Sequence, residues 1–262
     1  MQVRAASTAI LLAALTVGGA GCSVSIRLGS AADTSPTRVL TAGELKAGLI
    51  RLDEVGSDFR NDDPNRPDDP DSSLGCISDL GKVTKSPDNR PVRKADGAYV
   101  ADSDFSYPQV FDTIRTFHTE RDADRVMAGL VAALAKCHKV DRTNSHGLRI
   151  RLDVTTDQIP VGAEVTRQIN VYASGHLSSS EFNIPMRAEY GLLQLRNQVM
   201  FLCFVNTADD VATEADAVVH LGLARLLAVL KHQPVPNGLE LNLKVTNPDK
   251  VFTPSTQPGT ST

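Results

Sequence analysis

The chain has 262 residues, a formal net charge of −4 at pH 7, no tryptophan and only 5% aromatic side chains. A mildly acidic balance argues against nucleic acid or anionic lipid as an electrostatic partner, and so few aromatics make a poor platform for stacking sugars. The length is that of one folded domain with tails.

Arg4 is the only charge before Arg27, and the segment between Arg4 and Cys22 reads "AASTAILLAALTVGGAG". As a helix, Ala5–Ala20 would span about 24 Å, short of the roughly 30 Å that a bilayer core requires. A basic start, a short apolar core and a small-residue exit read as an export signal over residues 1–21. Gly19-Ala20-Gly21-Cys22 resembles the lipobox of bacterial lipoproteins, with Gly19 where leucine is usual. The resemblance implies that the Cys22 thiol is diacylated and that Cys22 becomes the mature N-terminus. Two or three acyl chains, at about 0.8 kcal/mol per buried CH₂, would then hold the protein on the membrane. The alternative is an ordinary secretory signal followed by a chance cysteine.

Residues 22–39 contain "SVSIRLGSAADTSPTR", a Ser/Ala/Thr tether with no periodic pattern. The folded domain is expected over 40–232. It opens with "TAGELKAGLIRL", where Thr41 and Glu44 have capping-box spacing. From Asp53 to Asp71 the chain is dense in acids and prolines and predicts a long surface loop. That loop offers the hard oxygens calcium prefers but lacks Asp-x-Asp-x-Asp-Gly spacing, so no metal is assigned to it. Short extended pieces follow, and "YPQVFDTIRTF" alternates from Val110 to Phe117 as a strand. Thr119 then caps a helix whose stripe is Ala123, Val126, Met127, Leu130, Val131, Leu134 and Cys137.

Four strand candidates come next. "LRIRLDV" puts Leu148, Ile150, Leu152 and Val154 on one face and Arg149, Arg151 and Asp153 on the other. "VTRQINVYA" has Thr166, Gln168, Asn170 and Tyr172 as its polar side. "IPMRAEYGLLQL" and "VMFLCFV" are joined near "RNQ", a hairpin turn. A last helix is expected from about Ala208 to Leu230. Residues 233–262 form a proline-rich tail unable to fold alone, in which "LELNLKV" alternates as a candidate edge strand. Consecutive strands with short turns make an antiparallel sheet, so the expected class is α+β, with two or three helices covering one face and a possible cleft.

Three cysteines remain after Cys22: Cys76, Cys137 and Cys203. Outside the cytoplasm thiols pair. Cys76 follows a loop and Cys137 ends a helix, whereas Cys203 sits in a run apolar on both faces, where a free cysteine packs as a small hydrophobe. Cys76 is therefore paired with Cys137. Zinc is the rival, without Cys-x₂-Cys or clustered Cys/His spacing to support it.

"FDTIRTFHTERDADRVMAGLVAALAKCHKV" and "LQLRNQVMFLCFVNTADDVATEADAVVHLGLARLL" together resemble the PknH-like extracellular sensor domain, a family found in a mycobacterial kinase and in actinobacterial lipoproteins. The likeness spans roughly residues 40–231. It implies an antiparallel sheet with helices around a cleft and a disulfide from the early loop to the helix end, which Cys76 and Cys137 match. It also implies a second disulfide, for which Cys203 has no cysteine near Met186–Tyr190.

No residue set names a reaction. The six histidines are scattered, His220 and Asp216 have only helical i, i+4 spacing, and the serines of "GHLSSSE" belong to no Gly-x-Ser-x-Gly elbow. No cofactor is assigned. The best candidate is the polar sheet face of Arg149, Arg151, Gln168, Tyr172, Arg187 and Glu189, where arginine's bidentate donors suit an anionic or hydroxyl-bearing ligand. The expected protein is a non-catalytic binding or sensor module, lipid-anchored on the extracytoplasmic face of the cell membrane. Its partner is a small molecule, an envelope component or a protein, and not nucleic acid. A structural or adaptor lipoprotein is the alternative.

Overall fold

Thr41 and Thr119 begin two helices for one physical reason: each hydroxyl accepts the N–H three residues on, while that residue's carboxylate accepts the threonine's own N–H. The computed structural model describes residues 37–62, 75–102, 107–145, 147–158, 164–180, 182–207, 212–241, 243 and 253–254. The export signal, Cys22 and most of the C-terminal tail lie outside the described residues. In chain order the elements are α1 (Ala42–Gly48), α2 (Leu52–Val55), β1 (Phe59–Asn61), α3 (Cys76–Lys85), β2 (Arg93–Ala101), β3 (Gln109–Thr116) and α4 (Glu120–Leu134). Then come β4 (Lys139–Thr143), β5 (Arg149–Gln158), β6 (Arg167–Ser178), β7 (Phe182–Leu195), β8 (Gln198–Asn206), α5 (Ala212–Leu230) and the two-residue β9 (Thr253–Pro254).

The class is α+β. The strands lie in the order β1-β2-β3-β8-β7-β6-β5-β4, every neighbour antiparallel, and β9 pairs with the start of β7. Arg196 and Asn197 turn β7 into β8, and Arg196 takes a positive φ there.

The sequence predicts helices on one face of the sheet; instead they divide between the two. On β8, Met200, Leu202 and Phe204 join one core with α1 and α5, while Val199, Cys203 and Val205 join a second core with α3 and α4. Strand side chains alternate faces, so the run "VMFLCFV" is apolar throughout because each face meets its own helix pair. Close seating of α5 depends on Gly222, where a Cβ would come within 2.8 Å of the Leu202 side chain.

Two segments depart from their expected conformation. The acidic stretch opens as α2 and β1, and its Glu54 is only 1% exposed. Its neighbour Arg225, from the apolar α5, is 2% exposed. The guanidinium donates to Glu54 Oε1 at 2.5 Å, to the Ala47 and Leu49 carbonyls at 2.7 and 2.5 Å, and to the Pro236 carbonyl at 3.2 Å. It thus satisfies carbonyls orphaned at the end of α1 and joins them to α5 and the following segment. The second such segment is α3, which occupies positions read as extended. The alternation in "LELNLKV" forms no strand among its described residues: Leu241 N–H donates to the Glu54 carbonyl, and Leu243 is buried in the α1/α5 core.

Asp112 lies in the same core. Ile50 N–H donates to its Oδ2 at 2.8 Å, and its Oδ1 has no partner. Burial pushes its carboxyl up to about 7, against the pull of the Ile50 N–H and Arg225, with Asp96 adding to the rise. The Tyr99 hydroxyl, which donates to the Ile50 carbonyl, is pushed up to about 12, mainly by burial.

Cys76 and Cys137 form a disulfide across 61 positions. It ties the first residue of α3 to the segment beyond α4, and Cys137 is fully buried. Replacing both cysteines by serine should cost about 2–4 kcal/mol in urea unfolding; no loss would mean that packing alone holds α3. Because the folded carboxyl of Asp112 binds its proton more tightly than the unfolded one, stability should fall as pH rises from about 4 to about 7. Asp112→Asn should flatten that slope, and equal slopes in the two proteins would exclude Asp112 as its source.

Candidate functional site

The strand registers decide which polar groups meet. Tyr172 lies opposite Glu189 on β7 and Thr155 on β5, Arg187 lies opposite Ser174 and Asn206, and Arg151 lies opposite His176 and Asp141. Arg149, Arg151, Tyr172, Arg187 and Glu189 therefore share a face, and Gln168 has the same parity on β6. That face is the one α5 covers over β7 and β8; it continues uncovered across β6, β5 and β4.

Two of its three arginines are committed locally. Arg149 makes a bidentate pair with Asp141, both hydrogen bonds at 3.0 Å, and Arg151 sits 3.5 Å from the same carboxylate. The hydrogen bond from Arg149 holds the Asp141 carboxyl below its ordinary range, and Asp141 raises Arg149 in turn. Along β6, Gln168 donates to Asn170, and Asn170 donates to the Tyr172 hydroxyl at 3.3 Å. These residues form a chain of local pairs on a wet surface.

A concave site opens on the opposite face. A groove of about 730 Å³ lies between α3 and the sheet, and none of the six residues of the polar face lines it. Leu80 and Gly81 of α3 form a wall, while Phe111, Tyr190, Phe201 and Cys203 belong to the floor. Local sequence explains the placement. On β3 the alternation that buries Val110, Asp112 and Ile114 toward α1 turns Phe111, Thr113 and Arg115 to the groove. The disulfide holds α3 beside it, and Gly129 lets α4 approach closely, since a Cβ there would meet Val83 at 2.8 Å.

Arg115 is the one ionised side chain among the described lining residues. Its guanidinium stacks on the Phe201 ring, 5.2 Å from the centroid, and Nη1 donates to the Thr84 carbonyl at 3.1 Å. Its Nε is buried with no partner. Desolvation lowers its pKa, partly offset by Asp96. Asp96 is itself engaged: Thr113 donates to Oδ1 at 3.1 Å, and Lys94 lies 2.9 Å from Oδ2.

Toward the other end, Tyr107, Tyr190 and Cys203 supply neutral polar groups. Tyr190 is directly opposite Cys203 in the β7–β8 register and hydrogen-bonds its thiol. Burial pushes that thiol up to about 12, which makes it a poor nucleophile. Both tyrosines are raised by burial as well. Among the described residues, no group of three or more His, Cys, Asp or Glu side chains is arranged to hold a metal. Chemically the site is an apolar trough with one cation and a few neutral hydrogen-bonding groups.

Sequence reasoning missed Arg115, Tyr190 and the α3 wall as a site. The alternation of "VFDTIR" carries part of the signal, but α3 had to be recognised before that face acquired a second side.

No family model matches the chain, and no curated protein matches it. Among solved structures, the extracellular domain of PknH from Mycobacterium tuberculosis matches with a TM-score of 0.52 and 14% identity, over 74% of this chain and 98% of that domain. The two share a fold. The PknH-like fold accounts for the sheet and its flanking helices; at this identity it assigns no residue a role. Among the described residues no helix is long and apolar enough to cross a membrane.

Proposed function

We propose that this chain is an exported lipoprotein whose folded domain binds a small envelope molecule without transforming it. Residues 1–21 direct export, acylated Cys22 anchors the mature chain, residues 22–39 are its tether, and residues 40–232 form the binding or sensor domain ahead of the tail 233–262. The domain stands on the extracytoplasmic side of the cell membrane of an actinobacterium. The groove against α3 carries this reading. Its volume falls within the roughly 300–1,000 Å³ of small-molecule sites, and an apolar lining with a few placed polar groups is their usual chemistry.

Three further observations support the setting. A structural disulfide belongs to an oxidising compartment. The fold is that of an extracellular domain. The leader and its cysteine have the order of an export signal with a lipid anchor. The adaptor reading gains nothing comparable, because Leu239 is the exposed large apolar side chain among the described residues and makes no patch.

Cys22→Ala should release the full chain from the membrane fraction on expression in an actinobacterial host; retention would overturn the anchor. Binding is tested by thermal shift of the full chain against extracts of cell envelope, because a ligand selective for the native state raises its melting temperature. A Cβ at Gly81 meets nothing within 4 Å, so Gly81→Phe has room to fold while its ring fills the groove. The extract should stabilise the native chain and not Gly81→Phe. Equal stabilisation of both would place the ligand elsewhere.

A further inference from the structure

We propose that the groove takes an anionic amphiphile: an unbranched hydrocarbon chain ending in an oxyanion head, carboxylate, phosphate or sulfate, held at Arg115. The assignment rests on the ligand-binding reading above and adds the chemical class.

The head group follows from the state of Arg115. A guanidinium offers five N–H donors, and here Nη1 is used on the Thr84 carbonyl while Nε is buried without a partner. A buried donor left unmatched is costly, and in a native structure it marks a place where an acceptor belongs. The nearest carboxylate does not supply that acceptor, since the two oxygens of Asp96 are taken by Thr113 and Lys94. Among the described residues Arg115 has no carboxylate within ion-pair distance, and stacking on Phe201 fixes the plane of its fork. An oriented guanidinium with a spare buried donor is built for a planar or tetrahedral oxyanion, which it binds through short charge-assisted hydrogen bonds.

The chain follows from the shape. Along β3 the groove's lining extends about 20 Å from Gln109 to Arg115, and it continues across the sheet through Met186 and Leu177 to Ile150. Leu80, Phe111, Leu192 and Val205 line it, and Arg115 closes one end. A ligand with charge at both ends would leave one charge against Cys203 and Tyr190, whose neutral groups do not compensate it. One charge at one end of an apolar rod satisfies the site.

The test uses the full chain carrying Cys22→Ala, so that its own acyl groups are absent. Calorimetric titration at pH 7 compares octanoate, decanoate and dodecanoate with 1-dodecanol, acetate and inorganic phosphate, all below aggregation. Each added methylene should tighten binding about fourfold, the equivalent of about 0.8 kcal/mol. Dodecanoate should bind at least about tenfold more tightly than 1-dodecanol. Arg115→Gln should erase that acid–alcohol difference and keep the chain-length dependence, and Gly81→Phe should lose both. The acid–alcohol comparison on the native groove needs no variant at Arg115, so it decides even where Arg115→Gln fails to fold. Equal binding of acid and alcohol overturns the oxyanion head and leaves a ligand-binding groove. Acetate or phosphate matching dodecanoate overturns the chain and leaves a simple anion site. If no alkyl compound binds while envelope extract still stabilises the protein, this inference falls alone; if neither acts, the ligand-binding reading falls with it.

Discussion

The middle of the sheet is covered on both faces and its far half on one, and the position of every site follows from that limit. A helix with side chains is about 10 Å wide and strands lie about 4.8 Å apart. Two helices side by side therefore cover about four strands, and the sheet path has eight. α1 and α5 occupy β2, β3, β8 and the end of β7, so their face runs out toward β6, β5 and β4. There the outward positions are Arg149, Arg151, Asp153 and Tyr172, which water and local pairing satisfy. On the other face α3 and α4 reach the outer strands and the start of β8, and leave β3 and the rest of β8 without a helix directly above. The uncovered apolar floor is the groove.

The α1/α5 core is organised around charge, which is unusual for a helix as apolar as α5. Arg225 is buried between the end of α1, Glu54 and the segment after α5, so one guanidinium joins chain positions far apart in sequence. A buried ion pair of this kind adds little stability over a well-packed apolar replacement, but removing either partner strands the other in the core. Its value here is registry: the α1–α2 turn, α5 and the Pro236 backbone fit in one arrangement. Asp112 adds a second buried acid, and its raised affinity for a proton lessens the negative charge held near Arg225, while Arg51 lies 3.7 Å from Glu54 as a second cation.

Much of this was legible from local chemistry. Thr41 and Thr119 cap helices as their spacing predicts, β5 through β8 follow their alternation, the turn falls at Arg196–Asn197, and Cys76 pairs with Cys137. The failures share one cause, which is that nonlocal cover decided the outcome. "CISDLGKVTK" contains a glycine and β-branched residues that weaken its helical signal, yet packing on α4 and the disulfide hold it as α3. Glu54 reads as a solvated acid until its partner, 171 positions away, is known. The split of helices between two faces was foreshadowed by "VMFLCFV", apolar at every position, which an antiparallel strand needs only when both faces are dry. The polar face was read correctly as polar, but polarity alone carries no concavity. The strand containing Arg115 carries no local sign of a groove, because nothing nearby in sequence reveals α3 above it.

Cys203 connects compartment to chemistry. A free thiol outside the cytoplasm is exposed to oxidation, and its reactivity depends on the thiolate fraction. Burial, which pushes the thiol up to about 12, suppresses that fraction, while the Tyr190 hydroxyl engages it from the facing position on β7. A cysteine at that facing position would cross-link β7 to β8 and leave a disulfide on the groove floor. Tyrosine instead keeps the strands joined by backbone ladder alone and gives the floor a hydrogen-bonding group. The neutral, unreactive end at Cys203 and the cationic end at Arg115 then make the two ends of the groove unlike. That asymmetry would set the direction of a one-headed ligand, with its charge at Arg115.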